Sequence, residues 1–418
     1  MSFAKIQSIR AYEILAGTGK PAVEVELVTD SQLVVTASVP SGTSKGGYEA
    51  FELLDGEKRY DGNGTRNAVN NVKTIIAPAI IGCDLSDPAA IDRKMLDLDG
   101  TENKQRLGGN AILPVSAAVY KAASASMHMP LYRYIGGRYA INLPSPIATV
   151  IAGGVHSSSS FLDFEDFICV SNGFPTFSES LEAIAAVRKN LEKSLKKRFG
   201  SISDTGGALS GPFKSNEDAI EAILDSIDKC GYSGKMSLAF DVAANELYNA
   251  ENKTYRIKGE LISADDLIQY YLGLCKKYPI TFFEDAFEEN DFESFRKLKS
   301  QLGDVMLVGD DLYASNKKRL QTGIGMEATS AILLKINQIG TITEALETAA
   351  EAKRSNQSVI VSLRSNDTCD PIIADFATGI GATMIKLGSP VRGERVVKYN
   401  RLLSIEDQLL QNSEGGLR

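Results

Sequence analysis

A chain of 418 residues, 43% of them hydrophobic, is long enough for one domain of barrel size and a smaller companion, each with its own core. The formal net charge of −8 and the lack of a long basic stripe argue against nucleic acid as the main partner, because phosphate-backbone binding needs clustered Lys and Arg. Five scattered cysteines (Cys83, Cys169, Cys230, Cys275, Cys369), never spaced C-x-x-C, argue against a disulfide framework and a zinc site.

In chain order, residues 4 to 40 hold three stretches whose alternation suits strands: IQSIRAYEIL, AVEVELVTD and LVVTASV, separated by Gly-Lys-Pro and by polar turn residues. An antiparallel meander is the natural arrangement. Helical patterns over Thr65 to Ile80 and Ala111 to Ser126 then make residues 1–133 an α+β domain. Gly136 to Pro146, with two glycines and two prolines, marks the passage to a second domain, residues 134–418. Beyond it strands and helices alternate, with helix starts expected at Thr176 and Ser215; after the second, Ile220, Ile223 and Ile227 share one face. Leu181, Ile184, Val187, Leu191 and Leu195 keep helical spacing, so the basic run Lys193 to Arg198 reads as the end of that helix before Gly200. No run of about 18 apolar residues occurs, and the N-terminus lacks the basic-then-apolar pattern of a signal peptide, so a cytoplasmic protein without a membrane span is expected.

Four short apolar runs carry the functional signal. MSLAF precedes Asp241, ITFF precedes Glu284, VMLVG precedes Asp310, and AILL precedes Lys335. Recurring roughly every 25 to 45 positions with helical segments between them, they read as buried parallel strands of successive βα units. Roughly 280 residues of such alternation, with charged residues at several different strand ends, fit an eight-fold barrel better than an open sheet. Ligands sit at the strand C-termini of that architecture, and three carboxylates converging there repel unless a hard cation lies among them. All-oxygen ligation favours Mg²⁺ over zinc or copper. The bland alternative is that these acids are solvated loop charges or helix caps. Lys335, desolvated beside such a cation, is expected to have a lowered pKa and to serve as a base toward a proton α to a metal-bound carboxylate.

Other segments keep two readings. Ser41 to Gly47, between a strand and an expected helix, fails the phosphate-loop pattern and is either a mobile lid or an ordinary surface turn. His156, in Gly153-Gly-Val-His directly after the strand-like IATVI, is either a site residue or a satisfied structural histidine. Ser362-Leu-Arg364-Ser365 suits a phosphate, and Lys386 follows a short strand, but both cations also suit ordinary salt bridges.

With these motifs in view, the chain resembles the enolase family over essentially its whole length. The likeness runs through Ser41-Gly-Thr-Ser-Lys-Gly-Gly-Tyr-Glu-Ala50, Asp99-Gly-Thr-Glu-Asn-Lys104, Leu107-Gly-Gly-Asn-Ala-Ile-Leu113, Pro130-Leu-Tyr-Arg-Tyr-Ile-Gly-Gly137, Gly153 to His156, Asp241-Val-Ala-Ala244, Val308-Gly-Asp-Asp-Leu312, Leu333-Leu-Lys-Ile-Asn-Gln-Ile-Gly340 and Arg364-Ser365. The resemblance implies a small α+β N-terminal domain that caps and lids the site, an (α/β)₈ barrel with irregular first units, and a homodimer or higher oligomer of dimers. It further implies that a phosphorylated carboxylate, 2-phosphoglycerate, is dehydrated to phosphoenolpyruvate. Asp241, Glu284 and Asp310 match the ligands of a first Mg²⁺, the last two also bordering substrate, and Ser44 matches a lid serine that helps hold a second Mg²⁺ once substrate binds. Lys335 matches the base, Arg364 and Ser365 the phosphate pair, Lys386 a contact to the substrate carboxylate, and His156 an active-site loop histidine.

The chain also departs from the family pattern. Gly-Asp-Glu-Gly-Gly appears as Ser203-Asp-Thr-Gly-Gly207, so Thr205 replaces the glutamate that helps the C3 hydroxyl leave. Ser-His-Arg-Ser appears with Leu363 in place of histidine. Gln-Glu-Phe appears as Glu165-Asp166-Phe167, one residue farther from His156, so Asp166 or Glu165 supplies the partner carboxylate. Asp204 is the neighbouring acid expected to compensate for Thr205. Besides a slow hydratase, two readings follow: an enzyme enolising a related phosphorylated or phosphonate carboxylate, and a non-catalytic binding protein.

Overall fold

The computed structural model describes residues 4–40, 47–56, 58–156 and 161–415. Its first element is the expected meander, β1 (Ile6–Leu15), β2 (Pro21–Thr29) and β3 (Val34–Ser38), paired antiparallel in that order. The alternation in β2 buries Val23, Val25 and Leu27 beneath the helix Gly109–Ser126. The segment read as one helix over Thr65 to Ile80 is three abutting pieces, Arg66–Asn71, a π turn Val72–Ile76 and Ala77–Ile80. Pro78 has no N–H to give the preceding turn, which accounts for the irregularity. Helix Pro88–Asp99 was not anticipated. Its signals are nonetheless local: Asp87 caps the Ala90 N–H, proline opens the helix, and Gly100 closes it at φ 68°. The helix expected directly after residues 41–47 does not form among the described residues 47–56.

The remaining strands are β4 (Ser145–Ala152), β5 (Asp166–Ser171), the hairpin β6 (Ser203–Thr205) and β7 (Ala208–Ser210), β8 (Met236–Asp241), a small outlying sheet of β9 (Tyr248–Asn249), β10 (Thr254–Ile257) and β11 (Glu260–Ile262), then β12 (Ile280–Glu284), β13 (Met306–Gly309), β14 (Ala331–Leu334), β15 (Ser358–Ser362) and β16 (Met384–Lys386). Eight of them, β4, β5, β8 and β12 to β16, close into a barrel because β16 pairs back onto β4. All four apolar runs became parallel barrel strands, β8, β12, β13 and β14. Their continuous hydrophobicity is explained by burial on both faces: Ile147, Ile168, Phe282, Val308, Leu333 and Ile360 fill the barrel interior, while the alternate residues pack under the helices.

The strict alternation of strand and helix fails in one place. β5 runs antiparallel to both β4 and β8, and two helices, Phe177–Phe199 and Asn216–Lys229, stand between β5 and β8. Thr176 and Ser215 cap these helices as expected, accepting from the Glu179 and Asp218 N–H groups. The reversal of β5 places its first residue, Asp166, at the barrel end where parallel strands place their last. Asp166 pairs in register with Asp241, and Asp241 with Glu284.

Polar clamps fix the N-terminal elements on the barrel. Lys104 donates to Glu344 at 2.9 Å, and Lys121 to Asp370 at 2.6 Å. Asp92, fully buried, holds the start of helix Ile342–Arg354: one carboxylate oxygen accepts from Ser116 Oγ, Thr343 N and Thr343 Oγ1, while its other oxygen has no partner among the described residues. Burial raises this carboxyl to about 6, against the hydrogen bonds that lower it. A carboxyl raised by folding stabilises the fold below its ordinary pKa and stops doing so as pH rises through its folded value. Asp92→Asn, which cannot ionise, is therefore expected to gain about 2 kcal/mol relative to the unaltered protein between pH 4 and pH 7, read from urea unfolding at both pH values.

Candidate active site

The barrel's C-terminal end gathers most of the residues singled out from sequence. A cavity of about 400 Å³ is lined by Glu165, Asp166, Thr205, Asp241, Lys335, Leu363, Arg364, Ser365 and Lys386, among others. Glu284 and Asp310 lie beside it, in contact with Lys386 and Lys335. Ser44 falls outside the described residues, as does the side chain of His156, whose backbone closes the short turn Gly154–His156.

The strand ends determine the geometry. Asp166, Asp241 and Glu284 stand side by side on adjacent strands, and the Lys386 ammonium from β16 reaches across the barrel mouth to all three. Its Nζ lies 2.9 Å from Asp241, 2.8 and 2.9 Å from the two Glu284 oxygens, and 3.4 Å from Asp166. Thr149 on β4 donates to Asp166 at 3.0 Å. Burial would lower the Lys386 pKa, but the surrounding carboxylates raise it well above the ordinary lysine value. Burial likewise would raise Asp241, yet Lys386 holds that carboxyl below its usual range. Three acids outnumber one ammonium, and Glu284, the most deeply buried and next to the Asp241 charge, is pushed well above the carboxylate range.

Lys335, immediately after β14, forms an ion pair with Asp310, immediately after β13. Gln338 donates to the other Asp310 oxygen at 2.8 Å, and Ser315 Oγ accepts from the Lys335 backbone N–H at 2.9 Å. The lowered pKa expected of Lys335 is that of a lysine beside a bound cation; paired with Asp310, the lysine is shifted the other way. Burial does act to lower it, but the Asp310 carboxylate outweighs burial and raises the lysine. Lys335 is an ammonium as long as Asp310 is its partner.

Arg364, just after β15, donates to both oxygens of Glu49, at 2.9 and 3.0 Å, so a residue of the N-terminal part closes over the cavity edge. Glu49 and Gln338 lie within motifs that carried the family likeness, yet neither was assigned a contact. Asp285 was also passed over: its two oxygens accept the Asp310 and Asp311 N–H groups at 2.9 and 2.8 Å. Asp204, expected to compensate for Thr205, cannot act as an acid here. It pairs with Arg188 at 3.0 Å and Arg392 at 2.7 Å and accepts the Gly207 N–H; burial opposes its ionisation, but these partners hold it below the ordinary carboxylate pKa. It fixes the hairpin turn that carries Thr205.

Two acidic groups bear on metal binding. Asp285, Asp310 and Asp311 bring carboxylate oxygens within 4.8 Å of one another, but both Asp285 oxygens are committed to backbone amides. Asp241, Glu284 and Asp310 are a second group: buried, hard oxygen donors at consecutive strand ends, of which Asp241 and Glu284 already surround a cation, the Lys386 ammonium, while Asp310 faces that of Lys335. Such donors fit Mg²⁺.

Comparisons with known proteins agree with this architecture. Residues 6–135 match the family model for the enolase N-terminal domain, and residues 140–415 that for the enolase C-terminal TIM barrel domain. The chain is 46% identical to the enolase of Methanopyrus kandleri over 420 aligned positions, covering 99% of this chain and 98% of the relative. It is 44% identical to that of Methanothrix thermoacetophila, covering 97% and 96%, and 41% identical to that of Methanococcus vannielii, covering 97% and 95%. Among the described residues no helix is long and apolar enough to cross a membrane. With a closed eight-stranded barrel, a small N-terminal domain, and both family models matched in turn along the chain, this chain belongs to the enolase family.

Proposed function

We propose that this protein is a cytoplasmic, Mg²⁺-dependent phosphopyruvate hydratase that converts 2-phosphoglycerate to phosphoenolpyruvate in glycolysis. In this reading residues 1–133 form the capping domain, residues 134–418 the catalytic barrel, and the working form is an oligomer built from dimers. The observation that carries it is the convergence of Lys335, Lys386 and Arg364 with Asp241, Glu284 and Asp310 on one cavity.

Asp241, Glu284 and Asp310 would hold a first Mg²⁺, and Ser44 would help hold a second when substrate is present. As in enolase-superfamily sites generally, the ions supply positive charge where negative charge develops on the substrate carboxylate. Arg364 and Ser365 bind the phosphate, trading the Glu49 ion pair for it, and Lys386 turns from its carboxylates toward that of the substrate. Lys335, once Asp310 is engaged elsewhere, loses the charge that keeps it protonated, so burial then favours the free amine that takes the C2 proton. Asp166 and Glu165, at the opposite side of the barrel mouth, are the remaining cavity acids near the family's partner-carboxylate position, and His156 borders them in sequence. A rise in ultraviolet absorbance as the conjugated enol phosphate forms tests the proposal; no product at high protein concentration with Mg²⁺ would reject it.

A second reading, an enolising enzyme whose leaving group differs, draws on Thr205 and Leu363, which line the cavity where the family has an acid and a histidine. General acid help is typically worth ~10² to 10⁴-fold. The double variant Thr205→Glu with Leu363→His is therefore expected to raise elimination from 2-phosphoglycerate by about 100-fold, the low end of that range. An unchanged rate would favour the second reading.

A further inference from the structure

Arg395 stands out among the cavity's cations. It belongs to the first turn of helix Gly393–Gly415, lines the cavity beside Thr205, Gly206 and Leu363, and is only 8% exposed. Lys335, Lys386 and Arg364 each engage a carboxylate, whereas Arg395 has none within hydrogen-bond distance among the described residues. Its Nη1 donates to the Leu387 carbonyl at 3.3 Å; its buried Nε has no acceptor among the described residues, with the Glu394 carboxylate 3.8 Å from it. Glycine makes room for it on two sides: a Cβ on Gly388 would fall 1.7 Å from Nη1, and one on Gly206 would fall 2.8 Å from Nη2. A guanidinium stays charged under all ordinary conditions, and burying it with no carboxylate in hydrogen-bond reach and one donor unpaired destabilises the fold. The cradle therefore sets a guanidinium against the cavity wall, its Nη2 beside Gly206 of the Thr205 turn, with no carboxylate among the described residues close enough to hydrogen-bond it.

We propose that Arg395 is a catalytic residue of the hydratase reaction, its guanidinium donating to the oxygen that departs from C3. The assignment rests on the function proposed above. It follows from position: Arg395 abuts the turn carrying Thr205, the side of the cavity that faces C3 by the family likeness, and this wall lacks the family's acid. Lys335 takes the C2 proton, the C2–H electron pair forms the C2=C3 bond, and the C3–O bond breaks with its electrons left on oxygen. The oxygen departs as hydroxide held by Arg395; together with the proton on Lys335 it amounts to the one water released. No oxidant or further reactant is needed. An oriented cation of this kind stabilises developing negative charge without transferring a proton.

The test measures two rates on one Mg²⁺-loaded preparation with 2-phosphoglycerate: exchange of the C2 proton with heavy water, and formation of phosphoenolpyruvate. Removal of one such donor typically costs ~10² to 10³-fold, so Arg395→Ala is expected to lose elimination by about that factor while exchange persists and added guanidinium restores elimination. Arg395→Lys, which keeps the charge and part of the wedge, should lie between and serves if the alanine variant does not fold. Exchange and elimination falling together without guanidinium rescue would reduce Arg395 to a prop for the hairpin, and elimination unchanged in both variants would equally overturn the proposal. Absence of both rates in the unaltered protein would instead reject the hydratase reading itself.

Discussion

Lys335→Ala is expected to lose both phosphoenolpyruvate formation and C2 proton exchange by ~10² to 10⁴-fold, the usual worth of a general base, while still binding Mg²⁺. The argument follows from the site's charge balance. Lys335 is the cation paired with Asp310, and the pairing keeps it protonated. Engaging Asp310 elsewhere frees the lysine as a base, so cation binding and base activation are linked through one carboxylate. Removing the lysine leaves Asp310, still held by Gln338 at 2.8 Å, available as a ligand. Titration of the variant with Mg²⁺, followed by calorimetry, separates the two roles. Loss of Mg²⁺ binding along with exchange would show that Lys335 is structural.

The second large effect is expected at Glu284. Glu284→Gln keeps the shape of a fully buried side chain whose two oxygens contact Lys386, but removes a hard anionic ligand. Loss of outer partners alone commonly lowers metal affinity ~10 to 100-fold, so loss of a direct ligand should exceed that range. Exchange and elimination should fall with the affinity and recover in part at high Mg²⁺. The two variants thus fail differently: one binds the metal and cannot remove the proton, the other keeps the base and cannot hold the metal. Full Mg²⁺ affinity in Glu284→Gln would overturn the ligand assignment.

Much of this arrangement was legible in the chain before its fold was considered. The four apolar runs before Asp241, Glu284, Asp310 and Lys335 became barrel strands, because segments buried on both faces must be continuously hydrophobic. What the runs could not reveal was direction. β5 carries no mark of its antiparallel course, yet that reversal brings Asp166 beside Asp241 and Lys386. Side-chain pairing was equally hidden. Lys335 reads as a desolvated lysine in isolation, and only the neighbouring strand end supplies the Asp310 charge that reverses its shift. Asp204 reads as a spare acid next to Thr205, but arginines 16 and 188 positions away in sequence take it up. Arg395 gave no signal, since its cradle is assembled from Gly206 and Gly388, which lie far apart along the chain. Linear proximity is a poor guide wherever a site is built from the ends of many strands.

The most direct measurement is nuclear magnetic resonance of 2-phosphoglycerate in heavy water with the unaltered protein, with Mg²⁺ present and then chelated. Loss of the C2 proton signal only while Mg²⁺ is present is the expected result, whatever the speed of elimination. A C2 signal that persists with folded, Mg²⁺-loaded protein would contradict the account of Lys335 as base and of Asp241, Glu284 and Asp310 as metal ligands.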